Sequence, residues 1–143
     1  MEMINLYYNK ISDILDQIKR VHTREDKIAA LKLNRNNEIF MRILLYTYSF
    51  THGKKHYPIK KIEPEVAKNE LSIDTNFDII DNLFTIFSVN SYLGHETERQ
   101  VTKLMESFDK DSQDIVNMML KHDLECGIDK KMLIDTFGSN FKN

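Results

Sequence analysis

Apolar residues recur at three- and four-residue intervals along most of this chain, and period-two alternation is nearly absent. That spacing predicts helices. Ile4, Tyr7, Tyr8, Ile11, Ile14, Leu15 and Ile18 form a first stripe. Thr23-Arg24-Glu25-Asp26 reads as a capping box that opens a short second helix through Ile28 and Leu31. Asn36 is the expected cap of a third, with Ile39, Phe40, Ile43, Leu44 and Tyr48 on one face. Phe77, Ile80, Leu83, Phe84 and Phe87 mark a fourth, and Val101, Leu104, Met105 and Phe108 a fifth. Asp111-Ser112 is the expected start of a sixth, with Ile115, Val116, Met119 and Leu120; Leu133, Ile134 and Phe137 mark a short seventh. The expected fold is all-α: a compact helical bundle of about six to seven helices ending in a helical hairpin. It would occupy residues 1–138, with 139–143 as a tail or the first residues of a linker.

The segment from Thr51 to about Ser72 breaks the pattern, because it holds Gly53, Pro58 and Pro64. Proline interrupts a helix by removing an N–H and clashing with the preceding turn. A long ordered loop with at most one helical turn is expected there. No internal repeat, low-complexity tract or interdomain linker is visible.

Length and composition narrow the class. A chain of 143 residues suits one domain, and a domain of this size buries roughly 70% of its unfolded surface without staples. Its one cysteine, Cys126, excludes an internal disulfide framework and fits a reducing, cytoplasmic setting. No apolar run is long enough for a membrane span, and the N-terminus lacks the basic and apolar regions of a signal peptide. The formal net charge of -2 means that any nucleic-acid binding must come from a local basic patch.

Two lysine-bearing stretches are candidates. In Lys121-His122-Asp123-Leu124-Glu125-Cys126-Gly127-Ile128-Asp129-Lys130-Lys131 an apolar helical run is expected to stop at Gly127, which suits a left-handed position past a helix. Asp129 is the expected cap of the next helix, with Ile128 and Leu133 as a hydrophobic staple. Lys130 and Lys131 then fall in a first helical turn, where the macrodipole disfavours cations by a few tenths to about 1 kcal/mol. They read either as solvated surface residues or as partners of a phosphate bound at the helix start. The second stretch, His52-Gly53-Lys54-Lys55-His56-Tyr57-Pro58-Ile59-Lys60-Lys61, carries four lysines, two histidines and no acid. It reads either as a solvated loop or as a segment that tracks a phosphate backbone without reading sequence.

Other chemistry has little support. His52 with His56, and His122 with Cys126, are spaced for two metal ligands on one turn, but zinc takes three or four protein ligands, so no metal site is expected. Cys126 reads as a small buried residue. Glycine-rich phosphate loops and serine nucleophile elbows are absent. Asp109, Asp111 and Asp114 cluster near a helix start, where the dipole favours them without calcium.

Three blocks carry a family resemblance. Leu33-Asn34-Arg35-Asn36-Asn37-Glu38-Ile39-Phe40-Met41-Arg42 through Tyr46-Thr47-Tyr48-Ser49 is one, His56-Tyr57-Pro58-Ile59-Lys60-Lys61-Ile62 the second, and Asp123-Leu124-Glu125-Cys126-Gly127 the third and most specific. Gly94 through Val101 falls where the family has a Gly-led helix. In this order, over about residues 25–138, they resemble the N-terminal DNA-binding domain of ATP-dependent DNA ligases of the T-even phage type. The resemblance implies an all-helical domain that grips duplex DNA across the minor groove while a catalytic core embraces a nick, in replication, repair or recombination. It places Lys60 and Lys61 on the backbone and Gly127, Lys130 and Lys131 near the groove. With the rest of the basic loop, the candidate DNA-binding set is Lys54, Lys55, His56, Tyr57, Lys60, Lys61, Gly127, Lys130 and Lys131.

The chain departs from a whole ligase in lacking the Lys-x-Asp-Gly motif whose lysine takes AMP. Lys121-His122-Asp123-Leu124 lacks the glycine, and its spacing places it in a helix. No catalytic residue and no cofactor are therefore expected in this chain alone; ATP and Mg2+ would belong to a full-length ligase. The expected partners are duplex DNA, nicked in particular, and a ligase core in cis or in trans, with no membrane. A phage origin would put the protein in the infected cell's cytoplasm. An excised domain and a stand-alone relative both fit, and so does a helical protein-interaction module that kept the fold and lost the DNA role.

Overall fold

The computed structural model describes residues 10–49 and 56–141. Among these lie α1 (Ile11–Arg20), α2 (Arg24–Leu33), α3 (Glu38–Tyr48), α4 (Phe77–Val89), α5 (His95–Met105), α6 (Lys110–Leu120) and α7 (Lys130–Phe137), with a closing 3-10 turn (Ser139–Phe141). An isolated parallel bridge joins Leu71 to Phe108, and no sheet forms among the described residues. The fold is all-α, as the periodicity predicts. The start of the first stripe, Ile4 to Tyr8, lies outside the described residues.

Helix starts follow local chemistry, with two corrections. Thr23 Oγ1 accepts from Asp26 N at 3.1 Å, as expected of a cap. Asn37, not Asn36, caps α3: its Oδ1 accepts from Phe40 N at 3.0 Å. Asp109, not Asp111 or Ser112, caps α6 by accepting from Ser112 N at 2.8 Å. Adjacent capping residues compete, and the extended backbone needed at the cap decides between them. Helix α1 has no side-chain cap of its own; Asp74, far along the chain, accepts from Ile11 N at 2.7 Å. Phe108, expected in the fifth helix, lies beyond its end and is fully buried at the bridge.

Helix α3 is central. It packs on α4, α6 and the 3-10 turn, while α2 lies between α1 and α7. Phe40, Ile43 and Leu44 on α3 are fully buried, as are Ile80, Phe84 and Phe87 on α4. Tyr57 packs edge-on against Phe84 at 5.2 Å, and Phe84 against Phe87 at 5.3 Å, joining the loop after α3 to this core. Ring pairs of this kind add about 0.5–1.5 kcal/mol beyond area burial. The described part of the long loop, from residue 56, contains no helical turn. It is pinned to α6 instead, and that contact builds the candidate site.

Candidate nucleic-acid interface

One stripe of α6 turns toward the loop: Lys110, Gln113, Asp114, Asn117 and Met118, with Lys121 just past the end, at helical spacing. Asn117 holds the loop like a missing strand neighbour. Its Oδ1 accepts from Ile62 N and its Nδ2 donates to Ile62 O, both at 2.8 Å. One turn earlier Gln113 Nε2 donates to Val66 O at 2.9 Å and to Met105 O at 2.8 Å. These amides satisfy backbone groups that a non-helical segment would otherwise bury unpaired.

Between loop and helix runs an open groove of about 720 Å³, lined by Lys60, Lys61, Ile62, Glu63, Pro64, Lys110, Asp114, Lys121 and Glu125 among others. It collects four lysines and three carboxylates. Lys61 pairs with Glu63 at 3.3 Å, Lys110 with Asp114 at 2.6 Å, and Lys121 with Glu125. The contact with Glu125 raises the Lys121 pKa. Lys110 and Lys121 are about 16 Å apart along the helix axis, from a rise of about 1.5 Å per residue. Over that length of duplex axis each DNA strand carries about four to five phosphates, one per 3.4 Å of axis.

Of the expected site residues, His56, Lys60 and Lys61 are exposed, and only the two lysines line the groove. Lys54 and Lys55 lie outside the described residues. Tyr57 is in the core at 9% exposure, its hydroxyl donating to Tyr46 O and its ring stacked on His122 at 4.9 Å. Burial raises its pKa. Its buried ring anchors the segment that presents Lys60 and Lys61. Lys130 and Lys131 open α7, as expected, with Asp129 Oδ1 accepting from Met132 N at 2.8 Å; they do not line the groove. Lys110 and Lys121 were missed. The polar positions 110, 113, 114, 117 and 121 are helically spaced in the sequence, but their juxtaposition with residues 60–64 is not legible there.

The hairpin differs from expectation in a second way. Helix α6 ends at Leu120, not at Gly127, so residues 121–124 are not helical. His122 takes the left-handed position (φ 62°) where glycine is commonest. His122 N donates to Met119 O and Asp123 N to Met118 O, both at 3.1 Å, closing the helix. The ring is held by Tyr57 and by Nδ1 lying 2.9 Å from Thr47 O. Burial lowers its pKa; the Thr47 contact opposes this and His56 adds to it.

Each residue of the Asp-Leu-Glu-Cys-Gly block then has a structural task. Asp123 Oδ1 accepts from Glu125 N at 2.9 Å, supporting the left-handed Glu125 (φ 58°). Leu124 is buried and its N–H donates to the Tyr48 hydroxyl at 3.0 Å. Cys126 is 2% exposed, and burial pushes its thiol up to about 11. Lys27 Nζ donates to both Cys126 O and Ile18 O at 2.9 Å, tying the turn to the end of α1. Gly127 has φ 80°, and a Cβ there would meet Lys27 Cε at 2.9 Å.

Fold and groove together define a compact helical module with a lysine-bearing trough. No protein-family model matches the chain. Over 117 residues, 82% of this chain, it is 26% identical to the DNA ligase of Enterobacteria phage T4, and the same holds for that of phage T6. This is a distant relationship to phage DNA ligases. The matched stretch is 24% of each relative, so the chain spans about a quarter of the length of the curated proteins it matches. Among the described residues no helix is long and apolar enough to cross a membrane.

Proposed function

We propose that this chain is a non-sequence-specific duplex-DNA-binding domain, equivalent to the N-terminal domain of an ATP-dependent DNA ligase of phage type, and that it holds nicked duplex for sealing in replication, repair or recombination. The observation that carries the reading is the similarity to two phage DNA ligases over 82% of the chain. The groove between α6 and residues 60–64 supports it with cations at one surface.

In this reading Lys60, Lys61, Lys110 and Lys121 contact phosphates, and Lys54, Lys55 and His56 belong to the same basic stretch of sequence. Lys130 and Lys131 contribute at the start of α7, next to Gly127. Such contacts set position and affinity without reading bases. Adenylation, ATP and Mg2+ belong to a catalytic core joined in cis or in trans. Fluorescence-anisotropy titration with nicked and intact duplexes of one sequence tests this. The reading expects salt-sensitive binding to both, tighter at the nick if end recognition resides here.

A second reading, a helical protein-interaction module, draws on Val89 and Tyr92, apolar side chains 57% and 72% exposed. It expects salt-insensitive binding to a protein and no DNA affinity.

A further inference from the structure

The groove's lysines are matched by carboxylates. Glu63, Asp114 and Glu125 line the same trough and hold Lys61, Lys110 and Lys121, while Lys60 makes no ion pair among the described residues. These pairs do little for the fold. Their side chains are 66% and 73%, 73% and 52%, and 53% and 48% exposed, so solvent screens them. Lys110 precedes Asp114 on the helix, the weaker order for an i,i+4 pair, and sits at a helix start where cations are disfavoured.

What the carboxylates change is the field of the groove. Counting only side chains that line it, four lysines against three carboxylates leave a net charge of +1; without the carboxylates it is +4. A phosphate that meets one of the three paired lysines competes with its carboxylate. That carboxylate stays within a Debye length, about 10 Å at 0.1 M salt, and repels it.

We propose that Glu63, Asp114 and Glu125 are affinity-limiting residues of the DNA groove: they mask three of its four lysines and keep its hold on duplex weak and quickly released. This rests on the DNA-binding reading. It predicts gain of binding from surface substitutions that leave the fold intact.

The test is an anisotropy titration of fluorescein-labelled duplex with the wild-type chain, Glu63→Gln, Asp114→Asn, Glu125→Gln and the triple variant. Glu96→Gln is the control, because Glu96 pairs with Arg99 on α5, outside the groove, and its loss makes the same change of charge. Each groove variant is expected to lower Kd about threefold, as for one unit charge at screened distance. The triple variant should bind at least about tenfold tighter, with a log Kd versus log salt slope steeper by about one to three. Glu96→Gln should bind as wild type. Two results overturn the proposal while leaving DNA binding standing: groove variants that bind no better although Lys60→Glu/Lys61→Glu abolishes binding, or a Glu96→Gln gain equal to theirs. Failure of wild type and triple variant alike to bind DNA at low salt overturns the DNA-binding reading itself, and this proposal with it.

Discussion

Replacing Gly127 by alanine examines the tightest point of the turn before α7. Two costs arise. An alanine at φ 80° sits in the left-handed region, at about 1–2 kcal/mol. Its Cβ also falls 2.9 Å from Lys27 Cε and 3.0 Å from Nζ, too close to keep. A free lysine tail would swing aside, but this one donates to Ile18 O and Cys126 O, each at 2.9 Å. Losing a charged hydrogen bond costs about 1.5–3 kcal/mol, and partial relaxation saves some of it. Gly127→Ala should therefore destabilise by about 2–4 kcal/mol in urea denaturation followed by far-UV circular dichroism. In a Lys27→Met background only the backbone part should remain, so the double-mutant cycle should show coupling of about 1–2 kcal/mol. A Gly127→Ala cost below about 0.5 kcal/mol, the range of an ordinary surface change, would show that neither the backbone nor Lys27 constrains this position. An equal cost with and without Lys27 would show that Lys27 does not.

Three further outcomes follow from the same contacts. Asn117→Leu removes both bonds to Ile62 and should cost about 2–3 kcal/mol; amide exchange at Ile62 should accelerate, and unchanged protection there would mean the loop is held by something else. Because burial lowers the His122 pKa below its usual 6.5, the unfolded chain binds more protons there than the folded one. The stability that neutral His122 contributes is complete above 6.5 and is lost as pH falls through its folded value, so stability should drop on acidification and His122→Gln should flatten that drop; an identical pH profile for the variant would contradict this. Cys126, buried and with its thiol at about 11, should react with a disulfide reagent only as fast as the protein opens, and immediate labelling under native conditions would show the turn to be open.

Local chemistry made much of the fold legible. Ile11, Ile14, Leu15 and Ile18 lie on one buried face because three- and four-residue spacing leaves no other arrangement for them. Thr23 and Asp129 cap their helices as a side-chain oxygen at that position should. Where neighbours compete, pattern alone could not choose, hence Asn37 over Asn36 and Asp109 over Asp111. The end of α6 was misjudged because a histidine in the left-handed region is uncommon, and it is held there by Tyr57 and Thr47, residues far away in sequence. The same holds for the groove. Lys60 and Lys61 were visible as a basic loop, but Lys110 and Lys121 join them through Asn117 and Gln113 and their bonds to Ile62 and Val66. Tyr57 falls among lysines in the candidate DNA-binding set; only the packing of Phe84 and His122 shows it to be the anchor of that loop.

In the proposed DNA-binding role the α6 groove grips phosphates. The direct measurement is the salt dependence of duplex affinity for the wild-type chain, Lys60→Glu/Lys61→Glu and Lys121→Glu. Wild-type binding should weaken linearly in a log–log plot, and the slope should fall by about 0.9 for each phosphate contact a variant loses. No binding at low salt, or variants with the affinity and slope of wild type, would contradict the claim and leave the groove lysines as ordinary solvated surface.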